Sequence, residues 1–309
     1  MKHDSRIFVA GHRGLVGSAL CRVLRSHGFE NLVTASHKEV DLTDPVATKW
    51  FFSSYRPEYV ILSAAKVGGI VGNLTYPVEF MTQNLRIEMN VLENAKEYGV
   101  KKLLFLGSAC AYPKYAENPI RESSLLTGVL EHSNECYALA KISGIKLCEA
   151  YRSEYGCDFI SAMPTNLYGI GDNYDPDNSH VIPGMIHRIH EAKTERETAE
   201  LWGTGNPCRE FLFADDLAEA CLALMHTTTN LGLVNIGYGS SIGLRLLASL
   251  VAKAVEYCGD IRWDTSKPDG TPERRVDSTK IFSTGWKPKV SLEEGLAISY
   301  KDFLCREHS

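Results

Sequence analysis

Ile7-Phe8-Val9-Ala10-Gly11-His12-Arg13-Gly14-Leu15-Val16-Gly17 is the stretch that decides the fold. Its first four residues are apolar without alternation, the pattern of a strand buried on both faces. Leu15, Val16, Ala19, Leu20, Val23 and Leu24 then recur at helical spacing, and Gly28 can end that helix. Among 25 glycines a triplet alone marks only a tight turn. Here Gly11, Gly14 and Gly17 sit between a strand and a helix. Small residues there let the backbone approach a pyrophosphate, and the helix start offers free N–H groups and the positive end of its dipole. The loop therefore reads as a dinucleotide site, spaced GxxGxxG.

The same texture continues outward. Leu32-Val33-Thr34-Ala35, Tyr59-Val60-Ile61-Leu62, Lys102-Leu103-Leu104-Phe105-Leu106 and Phe159-Ile160-Ser161-Ala162 read as further strands. Helical stretches near 76–98 and 135–155 surround the fourth. Apolar strands alternating with helices imply a doubly wound parallel α/β sheet. After Pro164 the chain turns to loops rich in Gly, Asp, Asn and Pro. A helix is expected over 180–190 and another over 214–226, with a strand near 233–237. The expected organisation is a Rossmann domain over 1–165 with returns near 211–240, and a smaller substrate-binding lobe over 166–309.

Composition narrows the function. The 309 residues carry 33 basic and 38 acidic side chains, a net charge of −5. That opposes binding to a nucleic-acid backbone, which needs a basic face. No apolar stretch approaches a membrane span. Nine cysteines, an odd number without a CxxC, suit reduced thiols in a cytoplasm. Met1-Lys2-His3-Asp4-Ser5 leads directly into the first strand, and no signal peptide is expected.

After the second strand the chain reads Ser36-His37-Lys38, without the acid that holds the ribose hydroxyls in NAD sites; Glu39 follows shortly. Arg13 and Lys38 offer charge to a 2′-phosphate, so NADP is the expected cofactor. Tyr137 and Lys141 stand one helical turn apart, where the lysine can lower the phenol's pKa. Tyr98 and Lys102 repeat that spacing, but across a helix end and a strand, where it is structural. Gly107-Ser108 closes the fourth strand, placing a serine in the ligand crevice beside Tyr137.

Glycine spacing, Ser108, Tyr137 and Lys141 together resemble the extended short-chain dehydrogenase/reductase superfamily. Ala64-Ala65-Lys66-Val67-Gly68-Gly69-Ile70, Gly107-Ser108-Ala109-Cys110-Ala111-Tyr112-Pro113, Met163-Pro164-Thr165-Asn166-Leu167-Tyr168-Gly169, Asn178-Ser179-His180-Val181-Ile182-Pro183 and Lys267-Pro268-Asp269-Gly270-Thr271-Pro272 resemble the GDP-L-fucose synthase family. Those enzymes epimerise C3 and C5 of GDP-4-keto-6-deoxy-D-mannose and then reduce C4 with NADPH.

The resemblance implies a reductase triad of Ser108, Tyr137 and Lys141, with Cys110 and His180 as the epimerisation acid–base pair. It implies a cofactor lined by Gly11, His12, Arg13, Gly14, Leu15, Val16, Gly17, Leu106, Gly107, Ser108, Ala109, Lys141, Pro164, Thr165, Asn166, Leu167 and His180. His37, Lys38, Asp41 and Leu42 join them after the second strand. Arg188, Trp202, Arg209 and Asp269 would contact the GDP-sugar. A homodimer through the helices near 76–98 and 135–155 is also implied. The chain departs from the family at His37, where bacterial relatives often carry arginine, and at Ala109, where a second serine is usual.

The chemistry asks for these residues. A C4 ketone acidifies both neighbouring C–H groups, and inverting each centre needs proton transfer on opposite faces. A 4,6-dehydratase would show an Asp-Glu pair where Ala109-Cys110 stand. Taken alone, Cys110 is a small buried hydrophobe, His180 a helix cap, Arg188 and Arg209 surface cations, and Trp202 core. His187 and His190 share a helical face, but no further ligands complete a metal site, and none is expected. Two alternatives stay open: a relative acting on another GDP-4-keto-deoxy sugar of colitose or deoxyheptose type, and a non-catalytic NADP-binding sensor.

Overall fold

The computed structural model describes residues 1–175, 179–267 and 269–307. Asn178 and Pro268, which belong to two of the quoted motifs, lie outside the described residues.

In chain order the first half runs β1 (Ile7–Ala10), α1 (Leu15–Ser26), β2 (Leu32–Val33), α2 (Pro45–Tyr55), β3 (Tyr59–Leu62), α3 (Ile70–Thr75), α4 (Pro77–Glu97), β4 (Lys102–Leu106), α5 (Glu135–Tyr155) and β5 (Phe159–Pro164). The second half runs β6 (Asn166–Tyr168), α6 (Val181–Glu195), β7 (Ala199–Trp202), β8 (Cys208–Arg209), β9 (Phe211–Phe213), α7 (Ala214–His226) and β10 (Leu233–Ile236). It ends with β11 (Ile242–Gly243), α8 (Leu244–Val255), β12 (Ile261–Asp264), β13 (Glu273–Arg274), α9 (Thr279–Phe282) and α10 (Leu292–Glu307).

Six strands form one sheet in the order β10-β5-β4-β3-β1-β2, and every neighbouring pair is parallel. All residues of β1, β4, β5 and β10 are buried, as a sheet covered on both faces requires. One face packs under α1 and α7 with Leu20, Leu24, Leu217 and Leu224. The other packs under α2, α4 and α5 with Phe51, Phe52, Val91 and Ile145. The chain steps from β1 out to β2 and then crosses to β3 on the opposite side, so the strand order reverses at the carboxyl ends of β1 and β3. In such sheets that reversal opens the ligand crevice.

β2 is shorter than its apolar run predicts. The chain curls after it because Ser36 N and Oγ each donate to Glu39 Oε2 at 2.7 Å. Local chemistry also places α2: Pro45 stands in its first turn and Asp44 Oδ1 accepts from Val46 N at 2.8 Å.

A third cluster, with Met185, Ile189, Leu201, Leu247, Val251 and Phe303, joins α6, β7, α8 and α10 into a second lobe. Fully buried Glu210 ties that lobe to the sheet. Its Oε1 accepts from Gly239 N at 2.7 Å and its Oε2 from Val276 N at 2.9 Å. Among the described residues, no helix is long and apolar enough to cross a membrane.

Candidate active site

The three glycines of the first loop each have a separate steric reason. Gly11 takes a left-handed φ of +85°, and a Cβ there would lie 2.8 Å from the Ala64 backbone beyond β3. A Cβ on Gly17 would fall 2.0 Å from the Gly11 carbonyl oxygen. Gly14 caps α1 with no side-chain hydrogen bond, and no acid stands in the helix's first turn. The N–H groups and positive end of α1 thus face the crevice unneutralised, and the backbone lies bare before them. This cradle fits a dinucleotide pyrophosphate.

No acid follows β2 directly, and the curl brings the Glu39 side chain back to Ser36. Ser36 lowers Glu39's pKa through its two hydrogen bonds, and Arg13 and His12 are close enough to add to the effect. Arg13, Lys38 and Glu39 are all exposed, and the Glu39 carboxylate is held by Ser36. His37 Nδ1 lies 3.5 Å from Asp41. The Leu42 carbonyl accepts from Asn90 Nδ2 at 2.9 Å, anchoring this loop to α4.

At the end of β4, Gly107 N donates to the Ala162 carbonyl at 2.8 Å, and Ser108 starts a tight turn over Ala109–Ala111. Ser108 Oγ accepts from Cys110 N at 3.3 Å and lies close enough to Tyr137 to lower the phenol's pKa. Lys141 Nζ donates to the Leu106 carbonyl at 3.1 Å and lies 6.0 Å from the Tyr137 ring centroid. Ser108, Cys110, Tyr137 and Lys141 are therefore brought together. The overall shift of the Tyr137 phenol is upward. Burial raises the phenol's pKa, nearby Cys110 and Glu88 raise it further, and only Ser108 opposes them. Tyr98 stacks on Phe52 under Arg56, and Lys102 donates to the Thr227 carbonyl at 2.6 Å, so the second Tyr/Lys spacing is structural.

Pro164 ends β5. Thr165 Oγ1 and Asn166 Nδ2 both donate to the Glu210 carbonyl, at 3.1 and 2.9 Å, fixing the segment that continues to Leu167. His180 is the residue before α6, and desolvation by the surrounding protein lowers its pKa.

The second lobe presents cations to this turn. Arg209 on β8 and Arg274 on β13 are register partners on adjacent parallel strands. Burial, then Arg274, lower the pKa of Arg209, and Cys110 lies close enough to act on it as well. Arg209 Nη2 donates to the Asp269 carbonyl at 3.3 Å, and Asp269 Oδ1 accepts from Thr204 N at 2.6 Å. Arg188 lies 4.5 Å over the Trp202 ring, with Lys267 at 5.3 Å. Trp202 is 44% exposed, which makes it a surface plane rather than core. Arg274 was not legible beforehand; a single arginine in an irregular segment carries no periodic signal. His190 Nδ1 lies 3.0 Å from the Tyr300 hydroxyl. Among the described residues, no group of three or more His, Cys, Asp or Glu could hold a metal.

Residues 7–237 match the NAD dependent epimerase/dehydratase family. The chain is 56% identical to GDP-L-fucose synthase 1 of Arabidopsis thaliana, over 97% of this chain and 94% of that one. It is 49% identical to the GDP-L-fucose synthase of Escherichia coli K12, over 97% and 96%. The crystal structure of a GDP-L-fucose synthetase from Naegleria fowleri bound to NADP superposes with a TM-score of 0.93 at 28% identity, covering 100% and 97% of the two chains. The chain thus belongs to the NAD dependent epimerase/dehydratase family, in its GDP-L-fucose synthase branch.

Proposed function

We propose that this protein converts GDP-4-keto-6-deoxy-D-mannose to GDP-L-fucose by 3,5-epimerisation followed by NADPH-dependent 4-reduction. The observation that carries this reading is one turn, Ser108 to Cys110, that brings a hydroxyl, a phenol and a thiol together under two arginines. A 4-reductase alone needs the first two; the thiol is what an epimerase adds.

The arginines and Trp202 have the chemistry to hold a diphosphate and a base. With the sugar held at the turn, the ketone acidifies C3–H and C5–H. At C3 and at C5 in turn, Cys110 takes the proton from one face and His180 gives one to the opposite face, each group exchanging its proton with solvent between the two inversions. Ser108 orients O4, and Tyr137 gives it a proton. When bound along Gly11–Gly17, NADPH supplies the hydride for C4. Leu15 and Val16 open the helix behind that loop, and Lys141 holds its charge beneath Tyr137.

Loss of NADPH absorbance with the GDP-4-keto sugar, and the NMR spectrum of the product, test the reading. Fucose configuration supports it; an unepimerised product refutes it. Tyr137→Phe is expected to lose about 10²-fold or more, as for removal of a general acid, while Tyr98→Phe stays near wild type. We place a homodimer interface on α4 and α5, whose surfaces expose Val78, Met89 and Leu139, and the protein in the cytoplasm.

A further inference from the structure

The mechanism uses Lys141 through its charge, and one carboxylate lies beside that charge. Glu88 on α4 is 0% exposed and Lys141 on α5 is 2% exposed. Glu88 Oε1 stands 3.4 Å from Lys141 Nζ, an ion pair buried between the two helices. Close helix packing creates the contact. A Cβ on Gly144 of α5 would lie 2.8 Å from Glu88 Oε2 and 2.5 Å from Phe105 Cζ. Phe105 also floors the lysine, with its ring centroid 4.7 Å from Nζ. The titratable groups that face the pair are Tyr137 and Cys148, both from α5. No second carboxylate acts on Lys141 among the described residues.

An ammonium in such surroundings tends to lose its proton, and a carboxylate to gain one. Burial accordingly pushes Glu88 up to about 7 and Lys141 down, while each holds the other toward its charged form. We propose that Glu88 is a positioning residue for the reduction: it keeps Lys141 charged between the helices and so sets the pH range in which Tyr137 donates its proton. This rests on the reductase roles of Tyr137 and Lys141 given above.

The test uses Glu88→Gln, Glu88→Asp, Lys141→Met and the double variant Glu88→Gln/Lys141→Met. Wild-type NADPH oxidation with GDP-4-keto-6-deoxymannose between about pH 6 and 10 establishes the assigned reaction separately. Without Glu88 the lysine charge is lost at lower pH. The alkaline limb of reduction in Glu88→Gln should therefore move acidward by about one pH unit or more, with Glu88→Asp between it and wild type. Deuterium exchange at C3 and C5 without NADPH, which uses Cys110 and His180, should keep its wild-type pH profile. In urea each single variant should unfold earlier than wild type. The double variant, freed of both buried charges, should recover most of the lost midpoint. An unshifted limb in Glu88→Gln, an equal shift in the exchange profile, or a double variant whose loss is the sum of the singles overturns the proposal.

Discussion

Arg274 donates Nη1 to the Ala109 carbonyl at 2.9 Å, while its Nη2 is buried without a hydrogen-bond partner. The contact joins the second lobe to the turn that carries Cys110. It ties the backbone beside the thiol to β13 and brings a second guanidinium up beside Arg209. A hydrogen bond to a charged group contributes about 1.5–3 kcal/mol. Arg274→Met should therefore slow deuterium exchange at C3 and C5 by roughly ten- to a hundredfold, measured by NMR without NADPH. NADPH affinity should stay unchanged, because the glycine cradle lies in the other lobe. Wild-type exchange in this variant would confine Arg274 to scaffolding.

Cofactor choice turns on Arg13 and on where Glu39 points. Two hydrogen bonds from Ser36 hold the exposed Glu39 carboxylate, and Arg13 stands exposed as a cation for a 2′-phosphate. NADPH should support kcat/KM at least about tenfold above NADH, and Arg13→Ala should shrink that ratio. Ser36→Ala removes the hydroxyl's share of the hold on the Glu39 carboxylate, leaving the backbone N–H bond, and is expected to shift preference toward NADH. Initial rates with both cofactors decide it; equal use by the wild type would remove the argument.

Asp172 gives a pH prediction for stability. Burial raises its pKa to about 7, Asp302 adds to the rise, and its Oδ2 has no partner. A carboxyl whose folded pKa lies above its unfolded value favours folding when protonated. That contribution is complete below the unfolded value near 3.8 and is lost as pH rises through about 7. Asp172→Asn should thus raise the melting temperature at pH 8 and flatten its dependence between those values. A wild-type slope in the variant would assign the titration elsewhere.

Much of this frame was legible because it rests on local pattern. The uniform apolar runs of Ile7–Ala10, Tyr59–Leu62 and Lys102–Leu106 are strands with those limits. The glycine loop, Ser108 and the Tyr137/Lys141 spacing follow from position relative to those strands. Illegible were the residues whose meaning comes from a distant partner. Arg274 meets Ala109 across 165 positions, and Glu210 reaches Val276 across 66. Glu88 reads as one more charge on a polar helix until α5 closes over it. The contact between Glu39 and Ser36 was hidden for the opposite reason, a local curl that linear spacing does not describe. A buried charge is costly alone, so its presence signals a partner that sequence order hides.

Cys110 and His180 allow proton removal to be separated from delivery. In heavy water without NADPH, the wild type should wash deuterium into C3 and C5 of the ketone. Cys110→Ser should suppress exchange at both carbons yet retain some hydride transfer, because Tyr137 and Ser108 remain. His180→Asn should still exchange but fail to invert. The pH sense follows from desolvation, which places His180 below its ordinary 6.5. The delivering form is the protonated imidazole, so in the wild type inversion per exchange event should increase as pH falls toward about 6. That dependence should vanish in His180→Asn. If Cys110→Ser instead exchanged deuterium and made fucose configuration at wild-type rates, Cys110 would be an ordinary half-buried thiol and the base would have to be sought elsewhere in the cleft.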